Sequence, residues 1–130
     1  TLRATVGALR DGGSKVSMFI DPEEEQVRAS RDIGADMVEL HTGSFANCEG
    51  ANRKEELARL AAAARVGSQL DLVVNAGHGI NYDNLEELFE IPHLGELNIG
   101  HSIISRSVMI GIEQAVREMV VMMAGYGGEQ

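Results

Sequence analysis

The chain has 130 residues, 44% of them hydrophobic and 24% charged, a balance that fits one globular domain and excludes a disordered segment. A formal net charge of −9 removes the basic face that phosphate-backbone binding needs, so neither nucleic acid nor an anionic membrane is expected as a partner. A small phosphorylated molecule stays open, because a few local donors hold it rather than net charge.

Cys48 is the only cysteine, which rules out an internal disulfide and makes a reducing cytoplasm the expected location. No apolar run reaches membrane-spanning length, and no secretory pattern is visible at the start. The opening "TLRATVGALRDGG" lacks a methionine and is already in helical periodicity, so more chain is expected upstream. With no Trp, two Tyr and three Phe, the core has to be aliphatic.

In chain order, Leu2, Val6 and Leu9 share one helical face, and Gly12 and Gly13 end that helix. "VSMFID" is a strand, closed by Asp21 as an N-cap with Pro22 at the first helical position, for a helix running to about Gly34. "DMVELHTG" is the second strand. A loop around 44–53 leads to the helix "KEELARLAAAARVG". "LDLVVNAG" is the third strand, and "YDNLEELFEI" is a helix capped by Asp83 and stopped by Pro92. "GELNIGH" is the fourth strand, followed by one long helix over 102–125 with a glycine inside it and a tail, "YGGEQ", that is expected to fray.

A helix followed by four strand–helix units predicts an α/β fold with a parallel sheet and right-handed crossovers. Two architectures compete, an open doubly wound sheet and half of a (β/α)8 barrel. Glu39 and His41 share one strand face opposite Val38 and Leu40, and Glu96 and Asn98 oppose Leu97 and Ile99. Strands covered on both faces would be nearly all apolar. The half-barrel is therefore the expectation, with residues 1–130 as one segment of it.

Ligands of parallel α/β folds sit at the carboxyl ends of the strands. Those ends carry Asp21, then Glu39 and His41, then Gly77-His78-Gly79, then Gly100-His101. Three of the four histidines fall there, while His93 belongs to the opposite end. A glutamate between Val38 and Leu40 is costly to bury unless it has a task. His78 between two glycines is read as a functional imidazole more readily than as a surface turn. Gly100-His101 opens the last helix, whose free N–H groups favour an anion such as phosphate. His41 is balanced between scaffold and function. Arg106 is read as a surface arginine, and Met119, Met122 and Met123 as core or contact residues. Neither a dinucleotide fingerprint nor a Walker loop is present, and no local ligand-pair spacing supports a metal at His41, His78 and His101.

The stretches "VSMFID", "VELHTGSFAN", "VVNAGHGINYDN" and "ELNIGHSIISRSVMIG" resemble the pyridoxine 5′-phosphate synthase family, the ring-closing enzymes of vitamin B6 biosynthesis. The resemblance runs from the opening helix to the last one and corresponds to the second half of that family's (β/α)8 barrel. It implies condensation of 1-deoxy-D-xylulose 5-phosphate with 3-amino-2-oxopropyl phosphate, releasing phosphate and water, with no metal or organic cofactor. It implies that His78 is the proton donor and that Glu39 stabilises charge in the transition state. It further implies that Gly79, Gly100 and His101 bind the amino-ketone phosphate.

The family assembles as an octamer, and its other catalytic histidine and glutamate lie on the first four strands. This chain is therefore expected to need an N-terminal half-barrel and to be inactive alone. Ser44-Phe45 departs from the Cys-Tyr of some members, and the loop over 47–53 is slightly short. The alternatives are another phosphate-handling barrel lyase or isomerase, a half-barrel that binds a phosphorylated metabolite without turnover, and a metal hydrolase.

Overall fold

The computed structural model describes residues 1–127. Its elements are α1 (Leu2–Asp11), β1 (Ser17–Ile20), α2 (Glu24–Asp32), β2 (Met37–His41), α3 (Gly43–Asn47), α4 (Gly50–Gln69) and β3 (Val73–Gly77), then a 3₁₀ turn (Glu86–Glu90), β4 (Leu94–Asn98), α5 (His101–Ile110) and α6 (Ile112–Met123). The four strands form one parallel sheet in the order β1-β2-β3-β4. Strand order follows chain order without the reversal that defines a doubly wound sheet.

All four carboxyl ends consequently lie along one edge. The register sets Glu39 beside Asn75 and His41 beside Gly77. Between β3 and β4, Val74 pairs with Leu94 but Ala76 with Leu97, so Gly95 and Glu96 together face Asn75 in a bulge.

The core lies on one face of the sheet. Val38, Leu40 and Val74 pack there against Val27 of α2, Phe45 of α3, Leu57 and Leu60 of α4, Leu85 and Leu88, and Met119 of α6. Each such side chain removed from water contributes roughly 1.5–3 kcal/mol before chain entropy is counted. The opposite face is open, with Phe19 57% and Val73 50% exposed. No described helix is long and apolar enough to cross a membrane.

Several elements differ from expectation. Glu23, not Asp21, is the N-cap of α2 and makes no side-chain cap hydrogen bond; Asp21 N instead donates to Gln26 Oε1 at 3.2 Å. The expected loop over 44–53 contains α3 and the first turn of α4. Gly67 does not end α4, which continues to Gln69 and closes through Asp71 at φ 56°. A Cβ on Gly67 would lie 2.6 Å from Val74 Cγ2, so this glycine lets helix and strand touch.

The expected helix over 82–91 is only a 3₁₀ turn. It is organised by Asn84, whose Oδ1 accepts from Asn81 N at 2.8 Å, rather than by Asp83. The last helix is broken at Gly111, at φ 82° and ψ 153°. In α1 only Val6 is buried, with Leu2 and Leu9 exposed. In the tail expected to fray, Tyr126 is anchored, its hydroxyl donating to Ile91 O at 2.9 Å; residues 128–130 lie outside the described residues.

Candidate active site

β2 delivers Glu39 to the open face, half-buried, two residues before the strand ends. Its Oε2 accepts from Asn98 Nδ2 of β4 at 2.7 Å. The strand between them passes through Gly77, where a Cβ would collide with Glu39 Oε1 and stand 3.0 Å from Asn98 Cβ. Gly77 is therefore a glycine so that the carboxylate can lie across β3 and meet the amide.

β3 ends one residue before His78, which is exposed and holds a left-handed backbone at φ 83°. That costly conformation is held by Thr42, the residue after β2. Thr42 N donates to Gly77 O at 2.9 Å. The buried Thr42 hydroxyl lies 2.7 Å from Gly77 O and 2.5 Å from His78 O, sharing its hydrogen between them. Gly79 follows at φ 76°, and a Cβ there would stand 2.6 Å from Ala46 Cβ of α3. The glycines flanking His78 thus make room for a carboxylate and for a neighbouring helix.

β4 ends at Asn98, and Gly100 caps the ten-residue α5 with nothing within 4 Å of a Cβ placed on it. His101 is the first residue of α5, so its backbone N–H and those following point out of the sheet edge without helical partners. Ser102 Oγ donates to Ile80 O at 2.8 Å and ties this helix start to the His78 loop.

These pieces enclose a cavity of about 200 Å³ lined by Phe19, Glu39, His78, Gly79, Ile80, Asn98, Ile99, Gly100 and His101. All five residues expected from the sequence to carry function meet in it. A carboxylate, an imidazole and a set of free helix-start donors are what acid–base work on an anionic substrate requires. A second, apolar cavity of about 70 Å³ lies between β4 and the end of α6, around Leu88, Leu94 and Tyr126. It has no acid–base group beyond Glu96 and Tyr126.

His41 lies outside the cavity lining and beside His78. Asp21 faces it, with Oδ1 3.5 Å from His41 Nδ1. His93 lies before β4, at the far end. Arg106 ion-pairs with Glu118 at 2.5 Å and covers the Tyr82 ring at 4.8 Å, which makes it a structural arginine. That hydrogen bond holds the Glu118 carboxyl below the usual carboxylate range and raises Arg106. Among the described residues no three His, Cys, Asp or Glu side chains converge to hold a metal ion.

Sequence reasoning missed the partnership of Asn98 with Glu39, the latch at Thr42 and the lining residue Phe19. It also missed Asn75, which is 4% exposed with no hydrogen-bond partner for Oδ1 among the described residues. The strand phase of Asn75 and Asn98 matched that of Glu39 and was the available signal.

Residues 1–125 match the family model described as pyridoxal phosphate biosynthesis protein PdxJ. A protein named pyridoxine 5′-phosphate synthase from Akkermansia muciniphila is 57% identical over 119 residues, covering 91% of this chain and 48% of that protein. Proteins of the same name from Prochlorococcus marinus (strain AS9601) and Syntrophotalea carbinolica are 48% and 47% identical, covering 91% and 96% of this chain and 50% and 53% of their own lengths. The chain spans about half the length of the curated relatives it matches. It belongs to the PdxJ family of pyridoxal phosphate biosynthesis proteins.

Proposed function

We propose that this chain forms the second half of a (β/α)8 barrel and carries part of the active site of a pyridoxine 5′-phosphate synthase. The enzyme would condense 1-deoxy-D-xylulose 5-phosphate with 3-amino-2-oxopropyl phosphate to give pyridoxine 5′-phosphate, phosphate and water. The observation that carries this reading is the shared cavity of Glu39, His78, Gly79, Gly100 and His101.

Support for the barrel comes from strands in chain order, helices packed on one face, and an opposite face that leaves Phe19 and Val73 exposed. β1 and β4 would pair with strands of an N-terminal half-barrel, and the assembly would be a cytoplasmic homo-oligomer. In sedimentation, the 130-residue chain alone is expected to associate or aggregate; a stable monomer would argue against the half-barrel.

His78 is the proton donor, because an imidazole can carry and release a proton and the loop holds this one at the cavity wall. Glu39, oriented by Asn98, stabilises positive charge as it develops during ring closure. Gly79, Gly100 and His101 hold the amino-ketone phosphate, with the N-terminus of α5 supplying unpaired N–H donors. The residues that complete the chemistry would come from the other half of the barrel.

The test is product formation from the two phosphorylated substrates by a chain of the relatives' full length carrying this half. His78→Asn should lower turnover at least about 100-fold with the fold retained. Near-wild-type turnover would remove His78 from the mechanism.

A further inference from the structure

His41 is the strand-end imidazole that this chemistry leaves without a task, yet it touches three other strand or helix ends. Its ring centroid is 4.9 Å from that of His78, with the planes at 54°. Phe19 of β1 meets it edge-on at 5.2 Å and 78°. Asp21 Oδ1, just beyond β1, is 3.5 Å from Nδ1, a contact too long for a good hydrogen bond. On the remaining side is Gly43, where a Cβ would be 2.7 Å from His41 Nε2 and 3.2 Å from His78 Cδ2, so both rings occupy space that this glycine leaves free.

The backbone of His78 is fixed through Thr42, but its ring turns about a soft terminal torsion. Among the described residues, the imidazole of His41 is the ring that lies beside that of His78. We propose that His41 is a positioning residue, held between Phe19 and Asp21, whose ring sets the plane in which His78 presents its nitrogen to the cavity. The inference rests on the proton-donor reading of His78. A donor must come within about 2.6–3.2 Å of its target, and a 1 Å misplacement costs on the order of 100-fold.

The experiment compares His41→Ala, His41→Leu, His41→Phe and Asp21→Asn in the full-length enzyme, by steady-state kinetics and by NMR of the His78 imidazole. His41→Ala should lower kcat about 10- to 100-fold with each KM within about twofold, and should shift the His78 ring resonances. His41→Phe, which keeps a planar ring without nitrogens, should recover most of kcat and the native resonances. Asp21→Asn should fall between. Where His41→Ala fails to fold, His41→Leu against His41→Phe makes the same comparison of bulk with planarity. Wild-type kcat and unchanged resonances on removing the ring, or a Phe variant no better than Ala or Leu, would overturn the proposal. The resonances report positioning without turnover, whereas full activity in His78→Asn would instead overturn the proton-donor reading.

Discussion

The amide of Asn98 donates to the carboxylate of Glu39 at 2.7 Å, spanning β3 at the one position without a side chain, Gly77. A neutral donor aims the carboxylate without setting a competing cation beside it. A hydrogen bond to a charged group contributes about 1.5–3 kcal/mol, so Asn98→Ala should lower kcat/KM about 10- to 100-fold. Asn98→Asp should be worse, because it sets two carboxylates against each other. Steady-state kinetics of the full-length enzyme would show it, and equal activity of all three proteins would refute the pairing.

Gly77 and Gly79 should respond differently to the same substitution. Gly77→Ala drives a methyl into Glu39 Oε1 and should depress kcat without unfolding the sheet. Gly79→Ala meets Ala46 Cβ at 2.6 Å and a φ of 76°, so it should cost stability, on the order of 1–3 kcal/mol. Adding Ala46→Gly should return the clash component and leave the backbone component. Thermal melts paired with kinetics separate the two glycines.

Replacing a helical glycine by alanine ordinarily gains up to about 1 kcal/mol. At Gly67 the sign should reverse, since the new methyl would stand 2.6 Å from Val74 Cγ2 on a buried strand. Gly67→Ala should destabilise by about 1–3 kcal/mol. The double variant with Val74→Ala should recover part of that loss in a denaturant titration.

Asp36 joins α1 to the start of β1. Its Oδ2 accepts from Val16 N at 2.9 Å, with Arg10 and Lys15 each 3.5 Å from Oδ1. The backbone hydrogen bond, then the two cations, hold its carboxyl below its ordinary value. A depressed folded-state pKa means stability that is present above the unfolded value and lost as pH falls through the folded one. Asp36→Asn should therefore melt lower than wild type at neutral pH, with the gap narrowing in acid. A gap independent of pH would show that the charge plays no part.

The strand-end residues were readable because a parallel sheet aligns its carboxyl ends, which brought Glu39, His78, Gly100 and His101 together without any knowledge of packing. The two-residue rhythm of β2 also gave the faces of Val38, Glu39 and Leu40. What escaped depends on tertiary contact. The five residues of α3 are too few for a helical period to show, and its opening Gly43 exists for the two imidazoles. Asp21 looked like a cap, but Glu23 takes that place while its carboxylate pairs with Arg59 of α4. What the glycines flanking His78 leave room for also escaped: a Cβ on Gly77 would meet Glu39, and one on Gly79 would meet Ala46. A lone glycine in a long apolar helix is tolerated often enough that the break at Gly111 left no local sign.

Gly111 also has a stereochemical corollary. Its φ of 82° and ψ of 153° lie in a region that essentially only glycine occupies, so the reversal from α5 to α6 depends on the missing side chain at a single α-carbon. A methyl of natural handedness there should open the hairpin through torsional strain alone, since nothing lies within 4 Å of it.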